Sequence, residues 1–473
     1  MKNQILEFFK FSYGSLISAG ISFLSTPIIT YLINPSEFGR ATVFTICFSI
    51  LITLIQLGTD QSFVRFFNGA KRKNDLSSLL ANSLIYPSLI LLVFIFLILI
   101  FGKYLTIQIL GINDANSHYL LLFLLCVGLF ERFATLLIRM QKRAVLFSNL
   151  KMIQATTNVI VVISYAKFIE NSFYALIIAN IVSLLLVLLI GIYKEKDNWI
   201  GVIFKLKLKK SRNIILYGLP FIPSFLASSI FEGVDKIILN KMTDFTEVGL
   251  YSAASKIVAF LTLFQIMFSN YWAPISYEAY EKDKESSKLL FRDVFNLLAP
   301  LLIIGAFSII LTKDLIINLF GNEYRESAQL IPFLVFMPVF LLLSEITVAG
   351  INFSKHTYLH IVISVLSALI NLILLLILVP KIGAVGAAIS NCITYLSFFV
   401  LRTYFSNRYF KVDYNFKKFF RLAVLLFLCA IFNTFLGLPI NPWLVNSILF
   451  LLLLTLTRDE IFMGITFIKT RIR

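Results

Sequence analysis

Of the 473 residues, 59% are hydrophobic and only 14% are charged, against about 25% charged in an ordinary soluble domain. This excludes a soluble globular enzyme and leaves no room for a large soluble domain, because apolar runs near or beyond the ~18 residues that cross a bilayer recur from end to end. The net charge of +17 would suit nucleic acid, but the cations sit in short loops between apolar runs, which is the signature of membrane orientation.

The first apolar run, 9–33, opens at Phe11-Ser12-Tyr13-Gly14 and holds Pro27. Ser and Gly interrupt it and no small-residue cleavage site follows a compact apolar core, so it reads as a retained span, not a cleaved signal. The turn Asn34-Pro35-Ser36-Glu37-Phe38-Gly39 leads to a second span at 41–66, which closes with Leu57-Gly58-Thr59-Asp60 and runs on to Arg65. Spans are expected next at 79–101, 118–140, 147–168 and 172–193. A basic link, 194–212, contains Ile203-Phe204-Lys205-Leu206-Lys207-Leu208-Lys209-Lys210, whose alternation of apolar and basic residues suits either an anionic leaflet or a solvated connection. The seventh span, 213–239, is broken by Pro220 and Pro223 and carries Glu232, Asp235 and Lys236 near its end. An eighth, 248–275, starts at Val248-Gly249-Leu250-Tyr251. The rest are expected at 289–312, 328–350, 357–379, 383–406, 417–436 and 442–457, which makes about fourteen membrane spans in an all-α integral membrane protein.

Charge placement supports this count. With both termini cytoplasmic, inner loops receive Lys71-Arg72-Lys73, Lys142, Arg143, the basic link, Lys282 to Arg292, and the cluster from Arg402 to Arg421. Outer loops hold only Arg40, Lys103, Lys167, Lys236, Lys241, Lys313, Arg325 and Lys381, the asymmetry that positive-inside orientation demands. An internal repeat is also legible: Tyr13-Gly14 is echoed by Tyr217-Gly218, and Glu37-Phe38-Gly39 by Glu247-Val248-Gly249. The expected organisation is an N-terminal bundle at 1–193, a linker at 194–212, a second bundle at 213–410, and two accessory helices with a basic tail at 411–473.

There is no phosphate-loop, HExxH, GxSxG or dinucleotide-binding fingerprint. His356 and His360 have helical i,i+4 spacing but no nearby carboxylate or Cys, and Cys47, Cys126, Cys392 and Cys429 are scattered singly, so neither a metal nor a disulfide is expected. Attention therefore falls on charges inside spans, which cost at least ~2.5–3.5 kcal/mol at mid-helix and normally face a cavity or a partner. Asp60, Glu131, Arg132, Asp235, Lys256 and Glu345 lie within or at the ends of spans, with Arg65 and Arg139 close enough to an inner face to snorkel. Arg65, Arg132, Arg139 and Lys256 suit an anionic substrate such as a phosphate. Asp60, Glu131, Asp235 and Glu345 suit a proton or sodium ion as coupling ion, with no other cofactor expected. Prolines 27, 87, 220, 223, 274, 332 and 338 offer kink points within spans.

Four stretches carry a family resemblance: Tyr13-Gly14 leading to Asn34-Pro35-Ser36-Glu37-Phe38-Gly39; Leu57-Gly58 to Arg65; Tyr217-Gly218-Leu219-Pro220 through Asp235-Lys236-Ile237-Ile238-Leu239 to Val248-Gly249-Leu250-Tyr251-Ser252; and Gly383-Ala384-Val385-Gly386-Ala387-Ala388. On these the chain resembles the polysaccharide-biosynthesis flippases, the O-antigen and capsule-unit translocases of the MATE-like multidrug/oligosaccharidyl-lipid/polysaccharide exporter superfamily. The resemblance spans the whole chain. It implies two pseudo-symmetric six-helix bundles facing each other in a V about a cationic cavity, plus two C-terminal helices. It implies alternating-access flipping of an undecaprenyl-pyrophosphate-linked oligosaccharide across a bacterial inner membrane, not an enzymatic reaction. Lipid-linked oligosaccharide and membrane lipids are the implied ligands, polysaccharide polymerase and chain-length proteins are candidate partners, and a monomer suffices. No nucleic-acid partner is expected. Competing readings are a multidrug or metabolite cation antiporter, a peptidoglycan-precursor flippase, a membrane-embedded glycan-processing enzyme and a scaffold for a biosynthetic complex.

Overall fold

Long runs of Leu, Ile and Phe can satisfy their backbone polar groups in hydrocarbon only by forming helix or closed barrel, and the lack of strand alternation leaves helix. The computed structural model of the chain describes residues 2–72, 75–112, 114–200, 205–354, 356–435 and 442–458, and among them there is helix and no strand. By length and composition ten of these helices can cross a bilayer on their own, and a pair bent by 48°, Asn322–Gln329 with Ile331–Thr347, makes an eleventh. The chain is a multi-pass membrane protein. Packing divides it into two compact units, Met1–Ile237 and Ile238–Arg473.

The first unit contains α1 (Lys2–Leu32), α2 (Pro35–Gln56), α3 (Thr59–Arg72), α4 (Leu76–Leu110), α5 (Ala115–Met140), α6 (Ala144–Phe168), α7 (Phe173–Lys194), a single turn α8 (Lys196–Trp199) and α9 (Leu208–Gly218). A 3-10 turn, Leu219–Phe221, then leads into α10 (Ile222–Met242). α1 lies along α6, while α5 packs against α4 and α7 and is the most enclosed of the apolar helices. The division falls beyond the 194–212 link because α9 packs on α3 and α4. The second unit comprises α11 (Phe245–Lys282), α12 (Lys284–Ile317), the 3-10 segment Asn322–Gln329, α13 (Ile331–Leu334), α14 (Phe336–Thr347), α15 (Ala349–Phe353), α16 (Tyr358–Tyr409), α17 (Phe416–Phe435) and α18 (Pro442–Leu456). An aromatic cluster joins its helices: Phe291 of α12 meets Trp272, Phe353 and Phe410, and Tyr280 stacks on Phe353 at 3.9 Å.

Three elements differ from the sequence expectation, and one is the single span expected at 328–350, which is the end of the 3-10 segment followed by α13, α14 and α15. The span expected at 41–66 is two helices, because Leu57 (φ 51°) and Gly58 (φ 67°) both adopt the left-handed conformation and turn the chain. The apolar run ends there, and the residues that follow form the amphipathic α3. The 52 residues of α16 would span about 78 Å at 1.5 Å per residue, more than twice the ~30 Å hydrocarbon core. It breaks at Ile382 and Gly383, where two expected spans meet, and Gly383 (φ 53°, ψ −136°) takes a conformation open in practice to glycine alone.

The internal repeat is visible as one device built twice. In the first unit Asn34 caps α2 by accepting from Glu37 N at 2.9 Å, and the Glu37 carboxylate accepts from Phe173 N, at the start of α7, at 2.8 Å. In the second, Asp244 caps α11 by accepting from Glu247 N at 3.0 Å, and Glu247 accepts from Ala384 N, at the start of the second half of α16, at 2.7 Å. Each carboxylate satisfies an orphan donor at the N-terminus of a helix far along the chain, where the helix dipole also favours negative charge.

Candidate functional site

The left-handed pair at Leu57 and Gly58 is held by close backbone contact. A Cβ on Gly58 would lie 2.3 Å from Gly218 O, and one on Gly218 would lie 2.7 Å from Leu57 O, so only glycine on both sides allows the α2–α3 break to meet the α9–α10 break. Ser62 Oγ donates to Ile214 O at 2.7 Å, and the rings of Phe66 and Tyr217 meet edge-on. Two of the sequence motifs, Leu57-Gly58 to Arg65 and Tyr217-Gly218-Leu219-Pro220, are thus one structural feature.

This break aims α3 at α5. Phe63 packs edge-on against Phe133 with centroids 6.0 Å apart. One turn before Phe63 the Asp60 carboxylate receives Arg132 Nη2 at 2.7 Å, and Gln61 donates both its backbone N (2.9 Å) and its side-chain amide (3.0 Å) to the same carboxylate. Asp60 is only 5% exposed at its side chain, whereas Arg132 is 41% exposed. The pair therefore holds a buried anion against a cation that keeps donor surface free, a geometry that fixes a guanidinium for a second, anionic partner. Glu131, adjacent on α5, is buried, and one of its carboxylate oxygens has no hydrogen-bond partner among the described residues. Neighbouring residues on a helix project about 100° apart, so Glu131 does not share the Asp60–Arg132 contact.

The second unit carries its own pair. Arg402 Nη1 donates to Glu345 Oε1 at 2.8 Å and to Ser344 Oγ at 2.9 Å, and its guanidinium lies over Phe398. Glu345 also lines a cavity of about 40 Å³, with Ser269, Trp272, Ser276, Tyr277 and Asn352 around it. That volume accommodates a few waters. Asn352 Oδ1 is bonded to His360 Nε2 at 2.8 Å.

Of the residues singled out from sequence, the structure brings Asp60 and Arg132 into direct contact. It buries Glu131 and Asp235 separately, and leaves Arg65 on α3, Arg139 in the last turn of α5 and Lys256 on α11 exposed. Arg402 was missed as the partner of Glu345. Sequence placed it with the loop cations, yet it is the sole charged residue in the apolar stretch 383–406, and that was the available signal. Among the described residues no group of His, Cys, Asp or Glu is arranged to hold a metal.

Comparison with known proteins bears on the same elements. The family described as "Polysaccharide biosynthesis protein" matches residues 8–280, more than half of the chain, and this includes α3, α5 and the α9–α10 break. An uncharacterised membrane protein of Methanocaldococcus jannaschii is 24% identical over 448 residues, 88% of this chain and 86% of that one. Among solved structures, the lipid II flippase MurJ in an inward closed conformation is similar over 98% of this chain and 99% of its own, with a TM-score of 0.69 at 14% identity. An inward-facing multidrug resistance MATE family transporter of the MOP superfamily is similar over 86% and 96%, with a TM-score of 0.66 at 15% identity. The fold is that of these transporters.

Proposed function

Because this chain belongs to the polysaccharide biosynthesis protein family, we propose that it flips an undecaprenyl-pyrophosphate-linked oligosaccharide across a bacterial inner membrane for O-antigen or capsule assembly. The sugar hydroxyls and pyrophosphate of such a lipid would lose their hydration in hydrocarbon, so a protein must supply a polar path while the lipid tail stays in the bilayer. Alternating access of the transporter fold supplies it. The observation that carries the reading is Arg132: a cation on the most enclosed helix, held in place by buried Asp60 and still 41% exposed. In this reading Arg132 and the exposed Arg65, Arg139 and Lys256 attract the pyrophosphate, and Asp60, Glu131, Asp235 and Glu345 are the sites at which a proton or sodium ion couples to the cycle. Both termini lie in the cytoplasm, the chain acts as a monomer, and polysaccharide polymerase and chain-length proteins receive its product.

The test is flipping of a fluorescent undecaprenyl-pyrophosphate oligosaccharide in proteoliposomes. Wild type is compared with a variant carrying Asp60→Asn and Arg132→Gln together, which removes the cation without stranding a buried carboxylate. Flipping by wild type and its loss in the variant support the assignment; equal rates overturn the role of Arg132. Peptidoglycan precursor is the second substrate to try, since the MurJ fold covers nearly the whole chain. Proton-linked efflux of small cations, with no flipping of any glycan lipid, would instead favour the antiporter reading.

A further inference from the structure

The link between α7 and α9 has an unusual attachment. Asn82, in the second turn of α4 and 1% exposed, holds it with both ends of its side-chain amide. Its Oδ1 accepts from Lys207 N at 2.8 Å and from Ser211 Oγ at 2.6 Å. Its Nδ2 donates to Lys205 O at 3.3 Å and is anchored on its own helix by Ser78 O at 2.6 Å. The carbonyl of residue 205 and the amide of residue 207 point to one side of an extended chain, and Asn82 reads both as a neighbouring strand would. Lys210 reaches Asp75 at the start of the same helix. The chain from Lys205 to Ser211 is therefore fixed to the first turns of α4, a helix long and apolar enough to cross a bilayer.

The side chains do the opposite. Lys205, Leu206, Lys207, Lys209 and Arg212 are all exposed. A flexible basic link would lose conformational entropy on meeting a surface, whereas here the backbone part of that cost is already met within the fold. We propose that residues 205–212 form a docking surface for negatively charged phospholipid headgroups, with the Asn82 clamp setting its height and orientation. Leu206 enters the acyl boundary beside Lys205 and Lys207, in the manner of an interfacial segment.

The full chain in detergent provides the test, read as the shift of its thermal midpoint while short-chain phosphatidylglycerol, phosphatidylcholine or inorganic pyrophosphate is titrated. Phosphatidylglycerol should raise the midpoint at low salt, with the effect fading as salt screens the charges, while phosphatidylcholine does little and any response to pyrophosphate, which Arg132 and its neighbours attract, does not depend on the link lysines. Lys205→Gln, Lys207→Gln and Lys209→Gln combined should weaken the apparent affinity by about ten- to a hundredfold, since each basic residue at an anionic surface contributes about 1 kcal/mol before screening. Asn82→Ala should weaken it too while leaving every lysine in place. An unchanged response in the triple variant overturns the docking surface. A pyrophosphate response that falls along with the phosphatidylglycerol response in the triple variant overturns the lipid assignment, and a full phosphatidylglycerol response in Asn82→Ala overturns the role of the clamp.

Discussion

The Gly58–Gly218 contact is the feature most open to a quantitative test. Gly218 has ordinary helical angles (φ −77°, ψ −38°), so alanine there carries no backbone strain. In an open helix the change would even stabilise by about 0.5–1 kcal/mol. Here the new Cβ meets Leu57 O at 2.7 Å and Gly58 C and O at 2.8 Å, all backbone atoms that cannot swing aside. Restoring the 3.4 Å of ordinary contact separates the two breaks by about 0.7 Å. Overpacking of this kind costs about 1–3 kcal/mol, and the same movement stretches the Ser62–Ile214 bond, worth about 1 kcal/mol. Gly218→Ala should therefore destabilise by about 2–4 kcal/mol. Gly58→Ala should cost more, because it adds a left-handed φ of 67° to a contact of 2.3 Å. Gly20→Ala and Gly69→Ala are the controls, since a Cβ at either meets nothing within 4 Å. Thermal unfolding in detergent, followed by tryptophan fluorescence, should rank the controls at or above wild type, then Gly218→Ala, then Gly58→Ala. If Gly218→Ala matches the controls, the two breaks do not hold each other and the account of how Asp60 is aimed fails with it.

Three further outcomes follow from the geometry. Glu37→Ala and Glu247→Ala should each destabilise by about 0.5–2 kcal/mol, as loss of a helix cap does, and the double variant should be additive because the two carboxylates share no partner; thermal midpoints of the single and double variants check this. Arg132→Ala strands a buried carboxylate, so adding Asp60→Asn should recover part of the lost stability in a double-mutant cycle, a rescue absent if the two side chains act independently. The hydrogen bond and charge of Lys210 hold the Asp75 carboxyl below its ordinary value of 3.8. A depressed folded value stabilises above the unfolded pKa and is lost as pH falls through the folded one, so proteolysis of the link should rise below about pH 4 in wild type and depend less on pH in Asp75→Asn.

Helices, their order and the twofold build were legible in the sequence, because apolar length, loop charge and two short turn signals each report a local or periodic property. Glu37 and Glu247 stood out as an echo, but that each reaches the start of a later helix could not be read from spacing. The Leu57–Gly58 turn was hidden because one residue of the pair is a leucine, whose left-handed conformation no propensity predicts. Asp60 and Arg132 were recognised one by one, since a charge in an apolar run is conspicuous, yet their contact depends on α3 turning onto α5. Arg402 was grouped with the loop cations because it lies about one turn from the end of its expected span, 383–406, with Arg408 and Lys411 close behind it. Asn82 gave no signal at all: a lone asparagine near a helix start reads as an ordinary polar residue until the link arrives beside it.

The paired carboxylates at Glu37 and Glu247 also set a schedule for assembly. Glu37 waits 136 residues for Phe173, and Glu247 waits 137 for Ala384. A chain emerging from the ribosome thus inserts α2, and later α11, with an acid whose partner has not yet been made. Each contact forms only when the helix that bears the partner amide arrives, after nearly equal lengths of chain. A nascent chain halted before residue 173 holds the first five spans but leaves the Glu37 carboxylate without the Phe173 amide.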